Sequence, residues 1–64
     1  MNDVAKFSLL ALNHSPVRVA YANGKTYEGH AENFKVAKNG EQFLVVALVG
    51  GGFRSLNVEK IQHI

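Results

Sequence analysis

Two periodicities divide the chain. Over residues 3–13, Val4, Phe7, Leu10 and Ala11 recur three and four positions apart, an apolar stripe along one side of a helix. Leu9 and Leu12 widen that stripe, and Asp3 stands where an N-cap belongs. Asn13-His14-Ser15-Pro16 ends the helix, because the residue before proline disfavours the α region. From Val17 the period becomes two. Val17, Val19 and Tyr21 alternate with Arg18, Ala20 and Ala22, as in a strand buried on one face. Asn23-Gly24 signals a hairpin. A three-residue loop at 22–24 pairs Val19 with Tyr27 and Val17 with Gly29, which keeps the apolar side chains together; a two-residue loop would set Val19 against Glu28. The second strand then covers 25–31.

Phe34 and Val36 open a third strand, and Asn39-Gly40 signals a second hairpin. A two-residue loop there sets Val36 opposite Phe43, Phe34 opposite Val45 and Lys38 opposite Glu41. Residues 43–49 are apolar on both faces, which marks the most buried strand, with Leu44, Val46 and Leu48 facing the helix. Gly50-Gly51-Gly52 makes a turn, and 53–58 is a further strand with Arg54, Leu56 and Val58 on one side. Glu59-Lys60 turns the chain into a short closing strand at 61–64. The expectation is a mainly β fold in a single domain over 1–64, a helix at 3–13 followed at 17–64 by a strongly bent, five-stranded antiparallel barrel, whose closure hides its sheet edges. The core expected is Phe7, Leu10, Val17, Val19, Tyr27, Phe34, Val36, Phe43, Val45, Leu56, Val58 and Ile61.

Composition narrows the function more than the fold. A chain of 64 residues buries only about 60% of its unfolded surface. With no cysteine it has no disulfide, so its core, or a homodimer through a barrel edge, must hold it. No apolar run approaches the ~18 residues of a membrane span. The start, Met1-Asn2-Asp3-Val4, lacks a basic region and a cleavage site, so a cytoplasmic protein is expected. So small a chain seldom encloses and supports a catalytic pocket, which argues against an enzyme. Gly24-Lys25-Thr26 resembles the end of a phosphate loop, but position 19 is valine and a strand follows. Gly50-Gly51-Gly52 likewise lacks a following helix. His14, His30 and His63 show no ligand spacing, and Ser8, Ser15 and Ser55 have no evident base; Glu28 and Glu32 read as solvated carboxylates. No metal and no cofactor is expected.

The net charge is +2, and Arg18, Lys25, Lys35, Lys38, Arg54 and Lys60 are interleaved with Tyr21, Tyr27, Phe34 and Phe53. Small barrels bind single-stranded nucleic acid by joining a basic groove to stacking aromatics. The competing assignment puts the aromatics in the core and leaves the lysines as guards of the sheet edges.

Beyond composition, Val17-x-Val19-x-Tyr21, the stretch from Asn39 to Ala47 and the closing Arg54, Leu56, Val58, Glu59, Lys60 and Ile61 resemble the WYL domain, an Sm/SH3-like barrel of bacterial transcription regulators. Its namesake tripeptide would fall on Gln42-Phe43-Leu44, where the leucine alone is retained. The resemblance implies a nucleic-acid or nucleotide-like ligand, with Arg54 as foremost contact and Tyr21 as a second. The same stretches resemble the Rho-binding antiterminator family Rof (YaeO), standalone Sm-like proteins of similar size that are acidic and block an RNA-binding surface on Rho. Val-x-Val with Asn-Gly-Lys-x-Tyr-x-Gly echoes the first Sm motif, and the second Sm motif is absent. The resulting expectation is a non-enzymatic regulatory binding module of transcription or RNA metabolism. Arg54, Arg18, Lys35, Lys38 and Tyr21 would contact an anionic ligand. The alternative is a Rof-like module that binds a protein such as Rho.

Overall fold

A helix, α1 (Asp3–Leu12), leads into β1 (Pro16–Tyr21), β2 (Thr26–Val36), β3 (Gln42–Leu48) and β4 (Phe53–Asn57). A single 3-10 turn, η1 (Val58–Lys60), then passes to β5 (Ile61–His63). The computed structural model describes residues 3–64, Asp3 through its backbone alone, so the cap expected of the Asp3 side chain lies outside the described residues. Phe7 and Ala11 of α1 are buried and Leu10 packs against the core. Leu9 and Leu12 do not widen the stripe: they are 57% and 76% exposed. Leu9 sits two positions from Phe7, about 200° around the helix. α1 ends in a Schellman motif, with Ser15 N–H donating to the Leu10 carbonyl at 3.0 Å and His14 N–H to Ala11 at 3.1 Å. His14 takes the left-handed position, φ 49°, that glycine usually fills.

All three hairpins use the same loop. Tyr21 N–H donates to Lys25, Ala37 N–H to Glu41 and Leu48 N–H to Gly52, and Gly24, Gly40 and Gly51 N–H groups return to Tyr21, Ala37 and Leu48. Those three glycines have φ of 85°, 89° and 101°, the conformation that a three-residue loop with a glycine bulge requires. The first hairpin therefore has the expected register, Val17 opposite Gly29 and Val19 opposite Tyr27. The second does not. Its loop is 38–40, so Val36 meets Gln42, Lys35 meets Phe43 and Phe34 meets Leu44. A shift of one residue turns every side chain of a strand over. Leu44 and Val46 are fully buried and Leu48 packs on the core, whereas Phe43 and Val45 are half-buried on the outer face and Val36 is 60% exposed. The core placement expected for Val36, Phe43 and Val45 is thus corrected.

The two strands expected at 25–31 and from 34 are one strand, β2, broken by a bulge between Ala31 and Asn33. The bulge changes which side chains point inward, from Ala31 before it to Phe34 after it. Asn33 meets part of the local demand, its Oδ1 accepting from Phe34 N–H at 2.8 Å.

The five strands form one antiparallel sheet in the order β4-β3-β2-β1-β5, curled into a half-barrel with α1 against β2 and β3. Phe7, Val17, Val19, Ala31, Leu44, Val46 and Leu56 make the buried core. Curling brings β2 and β3 together at Gly29, where an added Cβ would lie 1.9 Å from the Ala47 carbonyl oxygen. That neighbour is backbone, so the strain has no flexible side chain to absorb it.

Gly29→Ala is expected to lower the unfolding free energy by about 1–3 kcal/mol or more. Gly50, with nothing within 4 Å of an added Cβ, is expected to tolerate alanine within about 0.5 kcal/mol. Urea unfolding of the two variants beside the parent chain measures both.

Candidate interaction surface

β1 places Tyr21 at its end, half-buried on the inner side of the sheet. β2 places Tyr27 beside it, the two rings edge to face at 5.9 Å and 76°. β4 places Arg54 opposite Val46, so its side chain shares the inner face; its guanidinium carbon lies 5.0 Å from the centre of the Tyr27 ring. Of the expected contact residues, Arg54 and Tyr21 are brought into this one cluster. Arg18 lies on the outer face of β1, opposite Glu28, and Lys35 on the outer face of β2, opposite Phe43. Lys38 is exposed in the loop between β2 and β3.

Tyr21 also has a structural task. Its hydroxyl accepts from Asn57 N–H at 2.9 Å, tying the end of β4 to the end of β1. Asn57 extends the tie: Nδ2 donates to Glu41 Oε2 at 3.0 Å and Oδ1 caps η1 by accepting from Glu59 N–H at 2.9 Å. Glu41 in turn accepts from Asn39 Nδ2 at 2.8 Å, and Ala22 N–H donates to Lys60 at the other end of η1. The sequence carried a signal for Asn57, since asparagine favours the position before a short helix. It carried none for the hydroxyl that meets it from β1.

The hydrogen-bond alternation of β3 and β4 identifies the open edge. Leu48 bonds to Gly52, so the next bonded pairs are Val46 with Arg54 and Leu44 with Leu56. The main-chain groups of Phe53, Ser55 and Asn57 therefore point away from β3. Asn57 N–H is the one that Tyr21 takes. Those of Phe53 and Ser55 have no partner among the described residues.

Across β4, β3 and β2 the outer face reads in rows: Phe53, Ala47 and His30; Ser55, Val45 and Asn33; Asn57, Phe43 and Lys35. The middle strand is apolar. Its β2 side is basic or polar and its other side ends at the open edge, where Phe53 is 70% exposed. Beyond β3, Val49 is 74% exposed. Elsewhere, Ser8, His14 and Glu32 line a shallow pocket of about 360 Å³, with His14 Nδ1 3.5 Å from Glu32 Oε1. No hydrogen bond joins Ser8 to His14, and both members of the His14–Glu32 pair are well exposed, so this group has neither an activated nucleophile nor exclusion of water. Among the described residues no group of three or more histidine, aspartate or glutamate side chains could hold a metal ion, and no helix is long and apolar enough to cross a membrane.

No protein-family model matches the chain, and no curated protein does. A solved structure described as YaeO bound to magnesium, from Vibrio cholerae O395, superposes with a TM-score of 0.73 at 18% sequence identity. The match covers 88% of this chain and 71% of that one. At this identity the likeness establishes a YaeO-like fold.

Tyr21→Phe removes the acceptor from Asn57 N–H and is expected to cost about 1 kcal/mol. Amide hydrogen exchange should show Asn57 losing protection while Leu44 and Val46 keep theirs. Unchanged exchange at Asn57 would mean that the hydroxyl does not hold β4.

Proposed function

We propose that the chain is a regulatory binding module without catalytic activity, which docks on a protein of the transcription machinery, with a termination factor such as Rho as the first candidate. The observation that carries this reading is the outer face of β3 and β4. An apolar strip of Phe43, Val45 and Ala47 runs to the exposed Phe53 and is rimmed by Lys35, His30 and Asn33. An apolar centre with a polar, charged rim is the ordinary composition of a protein interface. The distribution of cations supports the same reading. Arg54 lies on the inner face, Arg18 and Lys35 on the outer face and Lys38 in a loop, whereas nucleic acid calls for cations gathered along one groove. The YaeO-like fold agrees with a Rho-directed module, as does the Rof-like sequence pattern. Lys35 then belongs to the rim of the surface and contributes to approach more than to affinity.

The test is capture of purified Rho by the immobilised chain, before and after nuclease treatment. Capture is expected to survive the nuclease. Phe53→Ser, at an exposed position, should weaken it about tenfold or more while leaving the fold intact. Absence of capture, together with salt-sensitive amide shifts around Arg54, Lys35, Lys38 and Arg18 on adding single-stranded RNA, would replace this reading with a nucleic-acid module.

A further inference from the structure

The outer strip ends at a strand edge, and that edge has its own chemistry. Phe53 and Ser55 each present an N–H and a C=O away from β3, whereas Asn57 gives its N–H to Tyr21 and its C=O to the start of η1. A row of main-chain groups at this spacing is a template for one more strand. Tyr21 closes the far end by occupying Asn57 N–H, which leaves a short open stretch and sets where an added strand stops. Alternate side chains of that strand would fall on opposite faces. On the outer face they would lie beside Phe53. On the inner face they would meet Arg54.

Arg54 decides what that strand must carry. It is exposed, held over Tyr27, and has no carboxylate partner among the described residues. Glu32 is beside His14, Glu41 is held by Asn39 and Asn57, Glu28 faces Arg18 across the outer side of the sheet, and Glu59 lies in η1. A guanidinium at a strand edge selects a carboxylate. Among the described residues, the sheet edges of a second copy do not supply one. Its β4 edge would bring another Arg54, and its β5 edge offers Ile61, Gln62 and His63. We infer that β4 is a β-augmentation site, which takes an extended segment of a partner protein with an acidic residue between two apolar ones. The acid pairs with Arg54, and the apolar neighbours cover Phe53 on the outer face. This rests on the reading of the chain as a protein-binding module and specifies how it binds.

The probes are two blocked eight-residue peptides that alternate valine with glutamate or valine with lysine, titrated into the 15N-labelled full chain. The glutamate peptide should shift and protect the Phe53 and Ser55 amides, and bind about tenfold or more tighter than the lysine peptide. Arg54→Glu should reverse that preference. Ser55→Pro removes an edge N–H that β3 does not use, a substitution an edge strand tolerates, and should reduce binding of the glutamate peptide at least about tenfold with the spectrum otherwise preserved. Equal binding of the two peptides, or unchanged binding by Ser55→Pro, overturns the inference. So does concentration-dependent dimerisation in sedimentation that Ser55→Pro abolishes, because the edge would then belong to a second copy. Capture of Rho separates the two readings. If the parent chain and Ser55→Pro capture it equally, the module binds protein by another surface; if the parent chain fails to capture it, the choice of partner fails whatever the peptides do.

Discussion

The register of the second hairpin is the constraint from which both the core and the candidate surface follow. Ala37 N–H bonding to Glu41, and Gly40 N–H returning to Ala37, fix a loop one residue longer than a tight Asn-Gly turn. That residue sends Leu44, Val46 and Leu48 inward under α1 and turns Phe43, Val45 and Ala47 outward. Because β3 is apolar on both faces, either register would bury a full set of hydrophobic side chains. Turn geometry therefore decides between them, with the bulge after Ala31. One choice made by backbone hydrogen bonds determines which apolar residues stabilise the molecule and which remain on its surface.

A second consequence concerns closure. The strand order leaves β4 and β5 as edges, and the chain passes between them through η1 alone. No ladder seals the gap. Instead the Tyr21 hydroxyl takes Asn57 N–H, Asn57 caps η1, and Ala22 bonds to Lys60. Each such bond contributes about 1 kcal/mol net, far less than the burial of Leu44 or Leu56. They position the edges more than they stabilise the fold. The protections seen on natural sheet edges are present: β5 is three residues long, β4 is five, and β4 carries an arginine. What remains open is the main chain of Phe53 and Ser55, with the Phe53 side chain 70% exposed beside it.

Much of this was legible in the sequence, and the failures share a cause. The helix, the β meander and the register of the first hairpin followed from apolar spacing, because there a wrong register would have set Val19 against Glu28. At Asn39-Gly40 the same dipeptide offered no such penalty, since residues on both faces of β3 are apolar. The Asn-Gly signal fits a two-residue turn and a three-residue loop alike. The bulge at Asn33 interrupts a run with no clear alternation, so one bent strand read as two. For the candidate site, the sequence pointed to Arg54 and Tyr21 and placed Phe53 among the surface-capable aromatics. It did not indicate that Tyr21 is committed to Asn57, or that Arg18 and Arg54 occupy opposite faces. Those are facts of pairing between strands, which a linear charge pattern does not contain.

The surface and the edge would do different work in a complex. Main-chain groups at a free edge are already hydrogen-bonded to water, so exchanging water for a partner strand gains little net free energy. What the exchange provides is direction and register, because the groups of Phe53 and Ser55 accept a strand at one spacing only. Affinity must come from removing Phe53 and the neighbouring apolar strip from water, where the gain scales with buried area. Charge adds the third component. Arg54 on one face of β4 and Lys35 on the rim of the other favour an acidic partner and penalise a basic one. Direction, apolar area and charge would thus come to the proposed contact from the flank of the sheet at β4.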